Sequence, residues 1–464
     1  MKLAMPASLW PWWTSRPRLF QPRSQDTIAR HATKVSDVIR QLRAHDGTRP
    51  LSFKKKAVAH QVPKRFDNRR ADHKIDLSAL DEILDIDPVA MTCTAEPGVT
   101  FVDLVRETLK HGLVPTVVPE LETITVGGAV SGCSIESMSF KHGGFHDSCL
   151  EYEVLTAKGN ILRCTPEVNR LVFQMIHGAF GTLGILTKLK FRLVPAKPYV
   201  HVTYEKYATL AEYKEAIWRR YVARDVDFMD GIIHAPDSYV LSLGRFVDEA
   251  PYTNKYDWVT VYYQTTATRR EDYLTTSDYF FRYDRGVTNP TPRSALGRLL
   301  LGKILGSTQI LRLAEKLPRL LSADRPDVTV DLFIPFSKLD SYLRWHEDTV
   351  GYFPLWCVPY RIPRKYEWLA DDFFANTPDE LFIDIAIYGM KQPPGRNIYK
   401  EIEDELPRVN AVKTLISHNF YDAPTFWRTW NRENYETVKA ITDPENVFRD
   451  LHSKMCRAAQ GQST

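Results

Sequence analysis

Apolar side chains recur every three or four residues in several stretches of this chain and alternate with polar ones in others. The spacing of Val35, Val38 and Leu42 is that of one face of a helix, so the sequence predicts an amphipathic helix near its start. By the same criteria, the predicted helices cover residues 27–45, 100–111, 171–179, 210–222, 426–441 and 446–459. The predicted strands cover residues 51–53, 74–77, 90–96, 150–157, 161–164, 182–194, 201–204, 238–243, 259–264, 328–335, 356–362 and 381–388.

A stiff, proline-bounded segment at residues 195–198 separates two stretches of different pattern. Beyond it, strands alternate with helices in the manner typical of an α+β domain. The chain has 464 residues, whereas single cores stop growing near ~250 to 300, so two domains are expected. We predict an N-terminal segment over 1–24, a first domain over 25–197, a second over 198–425, and C-terminal helices over 426–464 that pack on the first domain.

The charge balance is nearly neutral, because 61 basic and 57 acidic side chains leave a formal net charge of +4. Since the basic side chains form no concentrated stripe, this balance predicts no nucleic-acid partner. The six cysteines are scattered without a CxxC pair, which indicates neither a zinc site nor a disulfide framework. This usage predicts a reducing, cytoplasmic compartment.

Two segments mix apolar and cationic side chains. Trp10, Trp12 and Trp13 precede two arginines, a mixture that suits the water–lipid interface. In residues 296–321, leucines and isoleucines are interleaved with five basic side chains. Packing on the protein's own core would explain each segment equally well. No apolar run approaches the ~20 residues of a membrane-spanning helix, so the sequence predicts at most peripheral contact with a membrane.

Glycine, serine and threonine dominate residues 119–144, which predicts a long loop rather than regular structure. Long loops inside compact domains are usually functional. Gly127, Gly128 and Gly132 let the backbone come close to a ligand, and successive bare amides bind phosphate oxygens. The stretch matches neither the dinucleotide GxGxxG fingerprint nor a P-loop. On its own it is also compatible with a tightly packed turn.

An ordered series of motifs follows this loop: Ser-Ile-Glu-Ser at 134–137, Lys-His-Gly-Gly-Phe-His-Asp at 141–147, a turn at Lys158-Gly159, and Gly-Thr-Leu-Gly at 181–184. This succession resembles the FAD-binding domain of the vanillyl-alcohol-oxidase, or p-cresol-methylhydroxylase (PCMH), superfamily. The resemblance implies an α+β protein in which a two-subdomain PCMH-type FAD-binding domain precedes an α+β substrate (cap) domain. The cofactor-binding residues that it implies are Thr123, Thr125, Val126, Gly127, Gly128, Gly132, Cys133, Ser134, Ser137, His142, Gly143, Asp147, Gly181, Thr182, Gly184 and Ile185.

Within that superfamily, the chain is most similar to delta-24-sterol reductases. The separated pieces that carry this similarity are Pro119-Glu120-Leu121, Thr125 to Gly128, Gly132 with Ile135-Glu136-Ser137, Arg163 to Pro166, Gly181 to Gly184, Pro195 to Lys197, Ile383 to Ile385 with Tyr388-Gly389, and Lys454 to Arg457. They span most of the chain. The pieces in the cofactor half are more specific than those in the substrate half.

The first loop departs from the superfamily pattern. Many members carry a glycine-rich loop here that ends in a histidine bonded covalently to the flavin. Residues 52–60 of this chain read Ser-Phe-Lys-Lys-Lys-Ala-Val-Ala-His, so His60 is not equated with that histidine. We therefore predict non-covalent FAD. The lysines of this segment either contact phosphate or form a solvated strand edge.

Other chemistries lack support in the sequence. His142 and His146 have the spacing of a metal pair on a helix, but Gly143 and Gly144 between them indicate a loop, and we predict no metal site. No nucleophile-elbow motif accompanies the glycine-rich loop, so acyl hydrolysis is not predicted.

The resemblance implies reduction of a carbon–carbon double bond in a lipid. No separate nicotinamide-binding Rossmann unit is recognisable, so NADPH or NADH and the substrate would reach the same flavin in turn. The substrate would be a sterol-like lipid or an unsaturated or methylene-branched fatty-acyl chain, and a positioned acid would protonate one of its carbons. The candidate acids, or their partners, in the substrate domain are Tyr283, Arg282, Tyr388, Asp384 and Tyr360.

Two alternatives stay open. One is an oxidase or dehydrogenase of a sugar alcohol or lactone on the same fold. The other is a flavin-free lipid-binding or scaffold protein that kept the fold and lost the chemistry, which the intact Gly181 to Gly184 turn disfavours. The sequence does not determine the oligomeric state.

Overall fold

The structure is a computed structural model that describes residues 25–57, 66–257, 260–284 and 327–462. The tryptophan-rich N-terminal segment, His60 and residues 296–321 lie outside the described residues. Within these ranges, three β-sheets are present and helices pack against them. None of the helices that the structure describes is both long and apolar enough to cross a lipid bilayer.

Helices and strands alternate along the described chain, which confirms the predicted mixed α and β composition. The strands, β1 to β16 in chain order, are Leu51–Lys54, His73–Asp76, Ile83–Asp87, Thr92–Ala95, Leu113–Pro115, Cys149–Leu155, Ile161–Cys164, Ile185–Pro195, Tyr199–Tyr207, Phe228–Ala235, Ser238–Val247, Glu271–Thr275, Val328–Pro335, Leu355–Arg361, Leu381–Met390 and Val412–Lys413. The α-helices, α1 to α13, are Gln25–Arg43, Phe101–Leu109, Val126–Gly132, Ser139–His142, Arg170–Met175, Leu210–Ala223, Tyr262–Thr265, Thr276–Phe280, Leu339–Thr349, Asp371–Ala375, Ile398–Glu405, Ala423–Thr429 and Arg432–Thr442.

The two larger sheets are antiparallel and follow one another along the chain. One has the order β3-β4-β8-β6-β7, with β5 also paired to β8, and the other has the order β12-β9-β11-β10-β14-β15-β13-β16. The chain passes from the first to the second between Pro195 and Tyr199. Strands β1 and β2 form a small parallel sheet, and Phe448, near the C-terminus, bridges to Leu51 of β1.

The burial of alternate side chains explains the central strand of the first sheet. In β8, Leu189, Phe191 and Leu193 are buried, whereas the residues between them are more exposed. This period of two is typical of a strand that covers a core with one face. Phe145 packs edge-on against Phe101 and at a tilt against Phe191, so the segment that follows the glycine-rich loop is fixed on the same core.

The predicted loop over 119–144 is wrong in part, because α3 and α4 lie within it. Helix α3 forms despite its glycines, since the side chain of Thr125 caps it by accepting a hydrogen bond from the amide of Gly128 at 3.2 Å. Its apolar residues Val126, Ala129 and Val130 are fully buried. Tertiary packing therefore outweighs the low helix propensity of glycine.

Three further predicted elements differ from the structure. Residues 262–264 of the predicted strand 259–264 belong to helix α7 instead, and the Tyr262 ring is buried beside Tyr204 of β9. The single helix predicted over 426–441 breaks at Trp430, because the side chain of Asn431 caps a new helix, α13. The helix predicted over 446–459 is reduced to a π-helical turn, Ser453–Arg457, and a 3-10 turn, since the preceding backbone pairs with β1 instead.

Candidate functional site

A cavity of about 840 Å³ is lined by both predicted loops and by the second large sheet. This volume lies within the usual range of cofactor and ligand cavities. One side of the lining comes from the glycine-rich segment, the turn at 181–186 and the small β1-β2 sheet. The other side comes from β13, β14, β15 and the residues after β16.

Close packing explains why the glycine-rich segment needs glycine. A Cβ atom on Gly127 would lie 2.5 Å from the Pro97 side chain, and the amide of Gly127 donates a hydrogen bond to the Pro97 carbonyl at 3.0 Å. The Pro97-Gly98 turn and α3 are thus in direct contact, and both line the cavity. The Nζ atom of Lys55 lies 3.9 Å from the Cβ position of Gly128, which brings a cation to this helix.

The second glycine turn packs on β1. Gly181 has a φ of +70°, and a Cβ atom there would meet the Phe53 ring at 2.3 Å. Both the backbone conformation and the contact therefore require glycine. The hydroxyl of Thr182 donates to the Ala179 carbonyl at 2.7 Å and closes the turn. Gly181, Gly184 and Ile185 then face the cavity.

The structure brings nine of the predicted cofactor residues to the cavity lining: Thr125, Gly127, Gly128, Gly132, Cys133, Ser134, Gly181, Gly184 and Ile185. The other seven, which do not line it, are Thr123, Val126, Ser137, His142, Gly143, Asp147 and Thr182. Val126 belongs to the core, and Ser137 donates a hydrogen bond to Glu136. Gly143 has a φ of +79° and packs directly on Asp147.

Asp147 belongs to a buried polar group behind the cavity. Its carboxylate accepts hydrogen bonds from the hydroxyl of Tyr366 at 2.6 Å and from the amide of Gly144 at 2.9 Å. Tyr360, predicted as a candidate acid, shares a hydrogen bond with Tyr366 and does not line the cavity.

Burial lowers the pKa of His142 to about 4, so this side chain is neutral near pH 7.

Basic side chains gather at one end of the cavity. We define this basic end by its lining residues Lys54, Lys55, Arg69, Arg70, Lys74 and Lys454. Burial, together with the charge of Arg69, lowers the pKa of Lys454 to about 7. Its Nζ atom donates to the Phe180 carbonyl at 2.7 Å and has no carboxylate partner within the described residues. The run of lysines at the end of β1 indicated this end of the cavity in the sequence. Lys454 lies almost four hundred residues further along the chain, so the sequence did not indicate that it joins them.

The chemistry of the basic end suits a doubly anionic group such as the diphosphate of a dinucleotide. A desolvated ammonium without a counter-charge is costly, and an anion bound beside it removes that cost. Lys54, in contrast, already pairs with Asp76 at 2.7 Å on the exposed side of β1. Lys454 is therefore well placed to meet an anionic cofactor, and Lys55 lies beside the start of α3.

Carboxyl groups gather on the opposite lining of the cavity. We define the acidic end by Glu120, Asp331, Asp384 and Tyr388, all of which line it. The Tyr388 hydroxyl donates to Asp331, and the hydroxyl of Thr414 lies 3.4 Å from the same carboxylate. Asp384 accepts a hydrogen bond from the amide of Leu332 at 2.9 Å. No salt bridge reaches these carboxyl groups from any residue that the structure describes.

The strand register places this end on one face of the second sheet. Asp331 and Phe333 are two residues apart on β13, and Asp384 and Tyr388 are four apart on β15, so each pair shares a face. Burial raises the pKa of Asp331 and of Asp384, and for Asp384 the neighbouring charge of Asp331 raises it further. Burial and the charge of Asp331 also raise the pKa of Tyr388. These groups hold their protons more tightly than they would in water.

Arg282 and Tyr283, predicted as catalytic candidates, lie behind the cavity rather than in it. The Arg282 guanidinium is buried and lies 3.1 Å from Glu136 and 3.2 Å from Asp230. The hydroxyl of Tyr283 and the indole of Trp356 both donate to Asp230, at 2.8 and 3.0 Å. This ion network joins the segment after α3 to the second sheet and holds Trp356, which does line the cavity.

Of the predicted acids, Asp384 and Tyr388 reach the cavity, and sequence reasoning missed several of their neighbours. The missed lining residues of the second sheet and its flank are Asp331, Phe333, Trp356, Thr414 and Ile416. None lies in a recognisable motif. Glu120 had a signal, because it belongs to the Pro119-Glu120-Leu121 piece of the resemblance, but no role was predicted for it.

Comparison with known proteins agrees with this geometry. A family model described as an FAD binding domain matches residues 27–165, which include the glycine-rich segment and the β6-β7 hairpin. The match confirms the predicted PCMH-type FAD-binding domain. The chain is accordingly an FAD-dependent oxidoreductase.

The relatives narrow the class. The chain is 26% identical to the Delta(24)-sterol reductase of Homo sapiens over 461 residues, which cover 93% of this chain and 87% of the relative. It is 25% identical to the Delta(24)-sterol reductase homolog of Caenorhabditis elegans over 421 residues, 83% of this chain and 79% of the relative. Cytokinin dehydrogenase 5 of Arabidopsis thaliana is 30% identical over 146 residues, 31% of this chain and 27% of that protein. The predicted similarity to delta-24-sterol reductases is thus confirmed.

Proposed function

We propose that this protein is an FAD-dependent reductase that uses NADPH or NADH to saturate a carbon–carbon double bond in a lipid. The substrate is a sterol-like molecule or an unsaturated or methylene-branched fatty-acyl chain. The proposal takes its reaction class from the sterol reductases to which the chain is similar. We further propose that the two smaller sheets form the two-subdomain FAD-binding unit and that the eight-stranded sheet forms the cap over it.

The observation that carries the proposal is the pairing of two unlike ends in one cavity. The basic end and the glycine-rich segment suit the anionic part of FAD, and Lys55 and Lys454 are the cations that would meet it. The acidic end offers proton-bearing groups beside an apolar wall of Phe333, Trp356 and Ile416. Reduction of an alkene needs apolar surroundings, which this wall supplies, and one proton, which the acidic end supplies.

Nine residues of the two glycine segments are proposed to hold FAD, namely those that line the cavity. When bound, FAD supplies hydride transfer between the nicotinamide and the alkene. The chain itself binds and orients the reactants. Thr125 fixes the start of α3, Phe53 supports the Gly181 turn, and Trp356 is held against the cavity by Asp230. No residue within the described part of the chain is proposed to bond FAD covalently.

Anaerobic spectroscopy of the purified holoprotein tests the proposal. NADPH or NADH is expected to bleach the bound flavin, and a sterol with a Δ24 double bond, or a phospholipid with a methylene-branched acyl chain, is expected to restore its colour. Mass spectrometry of the extracted lipid would then show a gain of two hydrogens. Denaturation should release the flavin from the protein, as non-covalent binding requires.

The same experiment separates the alternatives. Bleaching by a sugar alcohol or a lactone, with no response to NADPH or NADH, would contradict the reductase and favour an oxidase or dehydrogenase. A colourless protein that cannot be reconstituted with FAD would favour the flavin-free scaffold. Replacing Gly128 by Asp is expected to abolish FAD binding, because the new carboxylate would lie beside Lys55 where the anionic ligand is proposed to bind.

A further inference from the structure

Glu120 stands where the two sides of the cavity meet. It lies on the segment between β5 and α3, five residues before the Thr125 cap, and it lines the cavity together with Gly127 and Gly128. Asp331 and Asp384 reach the same cavity from the second sheet. Glu120 is therefore the carboxyl group of the acidic end that is attached to the proposed cofactor side. Its side chain is partly accessible to solvent, and it lines the cavity.

Glu120 also differs from its neighbours in its hydrogen bonds. Asp331 accepts from Tyr388 and Asp384 accepts from the Leu332 amide, and donors of this kind stabilise a carboxylate. Within the described residues, the Glu120 carboxyl has only its own backbone amide as a donor. Hydrogen-bond donors consequently favour the ionised form of Asp331 and of Asp384 more than that of Glu120.

The charges that face Glu120 favour its protonated form. The titratable groups that interact with it are Asp331 on β13, Asp384 and Tyr388 on β15, Glu136 after α3, and Asp284 after α8. All of them are acidic. Burial, followed by the charges of Asp331, Glu136 and Asp284, raises the pKa of Glu120 to about 8.

We propose that Glu120 is the proton donor in the reduction of the double bond, an assignment that rests on the function proposed above. The O–H bond of the Glu120 carboxyl breaks, and its proton forms a C–H bond at one alkene carbon. Reduced FAD, when bound, would supply the hydride for the C–H bond at the other carbon, so that the π bond is consumed. The Glu120 carboxylate then takes up a proton from solvent, and NADPH or NADH supplies the two electrons for the next cycle.

Replacement of Glu120 by Gln tests the assignment by separating the two half-reactions. In stopped-flow measurements, Glu120→Gln is expected to be bleached by NADPH at the wild-type rate. Its reoxidation by the Δ24 sterol or the methylene-branched phospholipid is expected to be slower by about 10²- to 10⁴-fold, the usual contribution of a general acid. Glu122→Gln, two residues along the same segment and outside the cavity lining, is the matched control and should reoxidise normally. Glu120→Asp should restore part of the rate.

A measurement that needs no substrate tests the role of Glu120 independently of the proposed function. Infrared titration of the holoprotein should show a protonated-carboxyl signal near pH 7, and the part of it that belongs to Glu120 should disappear in Glu120→Gln and persist in Glu122→Gln. The assignment is overturned if Glu120 carries no proton near pH 7, or if Glu120→Gln reoxidises within about threefold of the wild type. If the wild type reduces neither lipid, the proposed function fails, and the titration still reports where the proton lies.

Discussion

Two groups of carboxyls, all buried except the partly accessible Glu120, lie on either side of Trp356, and their surroundings differ in charge. Behind the cavity, Glu136 and Asp230 share the buried guanidinium of Arg282, which also lies over the Tyr279 ring at 4.1 Å. At the acidic end, Glu120, Asp331 and Asp384 face one another with no cation among the described residues. Burial raises the pKa of Glu136 as it does at the acidic end, but the charge of Arg282 opposes that shift.

The difference shows which group serves the fold. A buried carboxylate with a hydrogen-bonded cation keeps its charge and fixes the elements that it joins. Clustered carboxyls without a cation are poor stabilisers, and strongly perturbed groups of this kind gather at functional sites. The position of Arg282 behind the cavity suits a structural role, whereas the carboxyl group without a cation lines the cavity. Four changes test this contrast.

Replacing Arg282 by Met should have the largest effect on stability. It leaves Glu136 and Asp230 buried without a cation, and breaking a buried pair in this way costs about 3–5 kcal/mol. Urea unfolding would measure the loss. The control is Arg170→Met, which removes an exposed pair with Glu367 and should cost no more than about 1 kcal/mol. Equal losses in the two variants would contradict the structural role of Arg282.

The acidic end should make the protein less stable as the pH rises. The folded pKa of Glu120 is raised, so the folded state binds this proton more tightly than the unfolded state does, and the free energy of unfolding falls from about pH 4.5 to about pH 8. The slope from this group is at most about 1.4 kcal/mol per pH unit. In Glu120→Gln the slope should be smaller, and the variant should be the more stable protein at pH 8. An unchanged slope would show that Glu120 ionises normally.

At the basic end, Lys454→Met should weaken FAD binding. A hydrogen bond to a charged group contributes about 1.5–3 kcal/mol, which corresponds to about 10- to 100-fold in the dissociation constant. FAD affinity of the wild-type apoprotein should also fall as the pH rises through about 7, because Lys454 then loses its charge. Titration calorimetry in buffers of different ionisation enthalpy would detect the proton taken up. The control is Lys110→Met, which changes an exposed lysine directly after α2 and should bind FAD normally.

The smallest effect is expected at His31. Here the positive charge between two carboxylates is carried by a histidine ring, which itself loses its proton as the pH rises. Its ring bridges Glu96 at 2.8 Å and Glu153 at 3.0 Å, and these two carboxylates raise its pKa against the effect of burial. Its contribution to stability is thus complete below pH 6.5 and is lost as the pH rises through the raised value. His31→Gln should cost about 1 kcal/mol at pH 6 and less at pH 9 in urea unfolding. A loss independent of pH would contradict a charged bridge.

The sequence predicted the cofactor half of the fold more closely than the substrate half. The hairpin of β6 and β7 and the long strand β8 follow their apolar patterns within a few residues. The Gly181 turn is local, and its glycine is required by one backbone angle and one contact. Short-range patterns of this kind are readable because the residues that determine them are neighbours in the chain.

The catalytic candidates were harder to predict, because their roles depend on distant partners. Arg282 and Tyr283 are chemically able to act on a substrate, but Glu136 and Asp230 hold them behind the cavity. In the sequence, nothing distinguishes Asp331 from other strand residues. Only the pairing of β13 with β15 shows that it lies on the face that carries Asp384 and Tyr388.

The sequence by itself determined that the chain carries a flavin-type glycine system, since the order and spacing of its motifs are one-dimensional properties. Only the tertiary structure decided which charges are paired and which face the cavity. The interaction between two charges depends on their separation in space and on the water around them, and neither quantity is written in the local sequence. For that reason Glu120 and Glu136, sixteen residues apart, have different surroundings: Glu136 pairs with Arg282, whereas Glu120 faces other carboxyl groups.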